Sequence, residues 1–286
     1  NYTANRGGAV AMLNTGVDSK LDGCQFNQNR AATHGGSVYL DRSSPTILNS
    51  TFTGDLSVNG GSLAGVDTSA PSIYSSTFTN NSATTNGGAI WADASQFKFY
   101  NSVFNDNFAT TNGGACLFNG GQAWLTNCNF KINQATNGGA IVHSRCDVIF
   151  TECEFTENTG TGNGGAIYGD MSNPTMNRCL FFINKSASGG AIYNHRGHPK
   201  LKNTVFIANY SSSHGGAILN QARRESAHAI LTGDNCLLIG NYVTASGANG
   251  GAIASFHEGW PYERYTYVNF TNSTFYNNIA LNVGGG

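Results

Sequence analysis

Three aspartates, Asp41, Asp67 and Asp93, stand 26 residues apart. If the chain repeats at that step, their carboxylates stack on successive coils. Stacked carboxylates repel unless a cation or a hydrogen-bond donor separates them, and a column of oxygen ligands is calcium chemistry. Clustered carboxylates are also what acid–base cleavage of a polysaccharide would use. The plainer reading is that each caps a turn, because Asn119, Ser144 and Asp170 recur at the same place. Only Arg42, beside Asp41, adds a base, so a lyase or hydrolase lacks support. No catalytic residue and no cofactor is assigned.

The other titratable groups are dispersed. His34 and His214 replace the Asn that elsewhere precedes a glycine pair, and read as turn substitutions. His195 and His198 are expected in one loop beside Arg196 and Lys200, with no third ligand at zinc spacing. Of seven cysteines none forms CxxC, but Cys128, Cys153 and Cys179 share one repeat position. Strand spacing lies inside the Cα window of a disulfide, yet parallel Cβ vectors suit one poorly. Buried thiols filling a narrow interior are expected there, with one bridge along the axis as the alternative.

What must position these residues is a repeat. Glycine pairs begin at Gly7, Gly35, Gly60, Gly87, Gly113, Gly138, Gly164, Gly189, Gly215, Gly250 and Gly284. The steps are 25 to 28 residues until the last two, which are 35 and 34. Such a period means stacked structural units. Between the pairs runs Phe-x-x-Asn, as in Phe78/Asn81, Phe104/Asn107, Phe130/Asn133 and Phe155/Asn158. Asp55 and Leu238 are its two deviations. Five residues before the Phe stands a large apolar residue, with Gly233 the exception. That offset is odd, so a straight strand would put the two on opposite faces. A bend at the intervening Asn (Asn49, Asn101, Asn127, Asn203, Asn235, Asn272) turns both inward, and Asn tolerates left-handed backbone.

Each coil therefore holds short apolar stretches with β-branched and aromatic members, separated by polar corners. The pattern predicts an all-β, right-handed parallel β-helix, with three short strands per coil of about 26 residues and about ten coils. Stacked Asn amides would bond along the axis. Residues 1–286 read as one solenoid, and as a stretch of a longer array.

Composition agrees. Charged residues are 11%, less than half the usual share, so the surface is built from amides and hydroxyls. A net charge of -1 gives no footprint for nucleic acid. The longest apolar run, Cys179–Ile183, is too short to span a bilayer.

The unit Gly-Gly-Ala-Ile plus Phe-x-x-Asn, often with Cys two before the Phe, resembles the repeats of chlamydial polymorphic outer membrane proteins. Cys153, Phe155, Asn158 and Gly164-Gly165-Ala166-Ile167 show it whole. The resemblance covers essentially the whole chain. It implies a secreted, extracellular β-helix at a cell surface, tied to adhesion and envelope structure. No barrel of alternating strands accompanies the repeats in this stretch.

The excess in the two long steps falls at about 219–229 and 254–267, where insertions in solenoids often bind. They hold Arg223, Arg224, His257, Trp260, Tyr262, Arg264 and Tyr265, residue types that carry interface energy. A surface or host ligand, a glycan included, is expected there. Sequons are no more frequent than chance, and Asn80, Asn49, Asn269 and Asn272 are the candidates for glycosylation. Three functions remain in order: a non-enzymatic structural or adhesive rod that self-associates end to end through open strand edges into a filament, a glycan-binding module using the Trp260–Tyr265 loop, and a polysaccharide-active enzyme.

Overall fold

The computed structural model describes residues 2–3, 5–223, 228–258 and 265–281. Every strand pairs in parallel with its counterpart one coil away. Three sheets result. A ten-stranded sheet carries the Phe positions, from Gln25–Asn27 to Thr274–Tyr276. An eleven-stranded sheet follows the Asn corner. The third, of 18 strands, collects the segments after the glycine pairs together with those leading to the next Phe. In most coils it bends and is counted as two short strands, whereas Ile90–Tyr100 and Cys116–Thr126 run through as single ones.

The corners follow from backbone chemistry. All six asparagines three before the Phe have φ of 50 to 52°. The residue two after the Phe is also left-handed in every coil, from Gln28 to Asn277, including Ile132 and Ile183. The glycine pair has two separate causes. The first glycine has φ of 56 to 69°. At the second, a Cβ would meet the carbonyl oxygen of the second glycine one coil on, as Gly139 meets Gly165. Backbone passes over backbone there, and only hydrogen fits.

The interior is filled by repetition. Phe26, Phe52, Phe78, Phe104, Phe130, Phe155, Phe181 and Phe206 stack with centroids 4.6 to 4.9 Å apart and planes within 8°. That distance is the strand spacing itself, so the sheet imposes the stack. Gly233 is compensated from the next coil. It lies opposite Phe270, whose ring occupies the space a Cβ would need.

Beside the Phe column runs a buried asparagine column. Asn133 shows the pattern. Its Nδ2 donates to Asn158 Oδ1 and to the carbonyl of Phe104, both at 3.0 Å. Its Oδ1 accepts from the backbone N–H and Nδ2 of Asn107, at 3.0 Å each. Both amide protons and both oxygen lone pairs are thus used. The same bonds recur from Asn81 to Asn278. Asp55 interrupts the column. Its Oδ1 accepts from the Asn29 N–H at 2.8 Å, but its buried Oδ2 has no partner.

Candidate functional site

The Asp column does not form. Leu63–Val66 pairs in register with Val38–Asp41, which places Asp41 opposite Val66. Asp67 falls one residue further, in the turn, with φ of 50°. The physical reason is a step of 25 residues between Gly35 and Gly60, one short of the Asp spacing. Among the described residues no three His, Cys, Asp or Glu groups converge as metal ligands. The equivalence of Asp93, Asn119, Ser144 and Asp170 does hold, since these four are successive partners across the ladder. Asn119 Nδ2 donates to Asp93 Oδ1 at 2.6 Å, and Asn119 and Ser144 together stand between the Asp93 and Asp170 carboxylates.

That column is one wall of a groove on the outside of the strands that follow the glycine pairs. It continues through His195 and Gln221 to Phe256. The opposite wall is the corner before the glycine pairs. Asn86, Asn112, Asn137 and Asn163 are joined Nδ2 to Oδ1 at 2.9 to 3.1 Å, and Ser188 and His214 extend them. The floor is the second residue of each strand: Trp91, Leu117, Val142, Tyr168, Tyr193 and Leu219. Two cavities occupy this groove. One of about 450 Å³ spans Trp91 to Tyr168, and one of about 620 Å³ spans Tyr193 to Phe256. Tyr168 and Tyr193 stack at 5.3 Å where the two adjoin.

Charge in the groove is largely internal. Asp170 Oδ1 accepts from His195 Nδ1 at 2.9 Å and from Arg196 Nη2 at 2.7 Å. Burial pushes the Asp170 carboxyl up, but His195 and Arg196 together hold it below its ordinary value. His195 is not a loop residue as expected. It ends the strand Ile192–His195 and is 7% exposed. His198 lies beyond it, and its Nδ1 accepts from the Ile230 N–H. His34 stacks on Trp91 at 4.6 Å, so this turn substitution also supports the groove floor.

Other candidates are structural. His143 lies inside the coil, with Nδ1 2.7 Å from Ser172 Oγ. Burial lowers its pKa to about 4, so it is neutral. Its ring fills the space opposite Gly169. All seven cysteines are free thiols; the neighbouring thiols, Cys128 for Cys153 and Cys153 for Cys179, and then burial push the pKa of both up. Asn49, Asn80, Asn269 and Asn272 are all exposed.

Much of both insertions is strand. Ile218–Arg223 pairs with Ile253–Glu258, setting Arg223 opposite Glu258 and His257 opposite Ala222. Ala229–Asp234 pairs with Thr266–Thr271. Tyr265 is exposed, its ring parallel to His228 at 6.3 Å. Arg224, Trp260, Tyr262 and Arg264 lie outside the described residues. The groove itself escaped sequence reasoning, which aligned the buried positions. Aligning the residue after each Gly-Gly-Ala-Ile, where Trp91, Tyr168 and Tyr193 stand, would have found it.

This architecture defines a class, the parallel β-helix solenoids. Residues 39–215 match the family described as right handed beta helix region, and the chain belongs to it. The hand expected for parallel crossovers is the family's own. No curated protein and no solved structure matches the chain.

Proposed function

We propose that this chain is a non-enzymatic structural or adhesive rod, secreted and displayed at a cell surface, that assembles end to end. The observation that carries the reading is the pair of stacked columns, asparagine interrupted at Asp55 and phenylalanine interrupted at Leu238. The rings stack from Phe26 to Phe206 and the amides from Asn81 to Asn278, one member per coil, which fixes a stiff rod whose length grows with coil number. A polysaccharide-cleaving reading would start at Asp170, but both bases near that carboxylate are engaged with it. Antibody labelling of intact source cells tests the location: labelling before permeabilisation is expected. Labelling only after permeabilisation would contradict the surface role. Incubation with polygalacturonate and cellulose should release no shortened product.

A further inference from the structure

We infer that the outer face of the ten-stranded sheet, over the coils at 180–182, 205–207 and 237–239, pairs face to face with a second copy of this chain. This goes beyond the rod reading, which concerns location and ends, and puts a lateral contact on the rod's side.

Strands of this sheet are three residues long, with the middle side chain inside and its two neighbours outside. Phe181, Phe206 and Leu238 are the inward ones and are fully buried. Leu180, Phe182, Val205, Ile207, Leu237 and Ile239 therefore point outward, and all are partly exposed. In the preceding coils the same two positions are polar, from Gln25 and Asn27 to Glu154 and Thr156, with Val103 the exception. The apolar face is thus no property of the repeat. Folding does not need it, because the polar coils close around the same stacked Phe. Beside it Ile183 is 43% exposed at the corner, and Tyr242, stacked on Tyr210 at 5.0 Å, is 39% exposed.

Size and charge select the occupant. These side chains leave roughly 500 Å² of apolar surface in one patch, as large as a monomer ordinarily shows. Two such faces with their polar borders bury about 1,200 Å², the lower bound for a stable protein pair. The face is flat and uncharged, so a sheet like itself fits it at a spacing of about 10 Å. The border sets the direction. Arg178 lies at one edge and Lys185 at the other, while Asp234 stands on the Arg178 edge two coils on. With the two rods parallel, Arg178 would meet the partner's Lys185. With the rods antiparallel about a two-fold axis at the middle coil, Arg178 meets the partner's Asp234 and Ile207 faces its own copy. Both ions also have partners in their own chain, so the border orients the pair and the apolar face holds it. An anionic lipid surface fits less well, because Glu154 stands in the adjoining strand of the same face.

Sedimentation equilibrium of the 286-residue chain at micromolar concentrations tests the proposal. A dimer is expected. Ile207→Lys sets like charges against each other across the two-fold axis and should weaken it at least tenfold, as should Ile207→Asp. Mixing the two variants should restore pairing, because Lys then faces Asp. Lys131 occupies the equivalent position three coils earlier, so the fold accepts that side chain, and circular dichroism checks it. Phe182→Ser, a milder change, should weaken pairing severalfold and keeps the test decisive if a charged variant unfolds. Thr79→Lys, on the polar part of the sheet, should change nothing. A chain that stays monomeric, association indifferent to all the 182 and 207 variants, or a mixture that does not recover would overturn the lateral pairing and leave the rod reading intact. A monomer that co-sediments with phosphatidylcholine vesicles would overturn it too, and would assign the face to lipid.

Discussion

At the scale of single residues, the asparagine column shows why an amide and nothing else recurs inside an apolar coil. Each side chain caps the backbone N–H and amide of one coil and the carbonyl of another. Asn133→Ala would strand the Asn107 donors and the Phe104 carbonyl inside the rod. A loss of about 3 kcal/mol is expected, read as a lowered urea midpoint. Asp55 is the natural counterpart of that experiment. A carboxylate there cannot donate, and its Oδ2 is buried without a partner. Burial pushes its pKa up, while the Ser37 hydroxyl and the Asn29 backbone act in the opposite sense. Ser replaces Ala in the Gly-Gly-Ala motif at Ser37 and Ser62, in coils next to Asp55. Because the folded pKa is raised, the native state holds the proton more tightly than the unfolded chain. The contribution is therefore fully present below the ordinary carboxylate pKa, and is lost as pH rises through the raised folded value. Asp55→Asn should abolish that slope and stabilise the rod at pH 7 by about 1–3 kcal/mol. Unfolding midpoints of both proteins from pH 3 to pH 8 check it, and parallel profiles would contradict it.

At the scale of the elements, the glycine pair decides where coils can pass. Gly139→Ala drives a methyl group into the backbone of the next coil, and should cost at least ~3 kcal/mol in thermal or urea unfolding. Gly16→Ala, with open space around it, should stay within about 0.5 kcal/mol. The buried elements were legible in the sequence because stacking repeats one side chain in each coil: Phe130, Asn133 and Asn127 announce a strand, a ladder and a corner. Register was less legible, because a one-residue change in step length is absorbed at a turn. That is why Asp41 and Asp67, equally spaced in sequence, do not face one another. The groove was illegible for a related reason. Its floor mixes Trp, Leu, Val and Tyr, so it makes no repeating motif although its residues stack in register. The long insertions read as loops because their added residues break the period, yet among the described ones Ala222–Arg223 and Ala229–Leu231 extend strands that pair with His257–Glu258 and Thr266–Val268.

At the scale of the whole molecule, stability is a sum of coil and interface terms, and the rod needs no single globular core. Low charge and axial amide ladders favour an elongated object whose sides can be decorated without disturbing its interior, and the exposed sequons and the groove both lie on those sides. The central claim is that the repeat exists to make a stiff rod. Electron cryomicroscopy of the native material, without refolding or truncation, tests it most directly. The account predicts straight rods or filaments of uniform width with a strong axial spacing near ~4.8 Å from stacked parallel strands. Compact particles, or flexible beaded strings without that axial spacing, would contradict it.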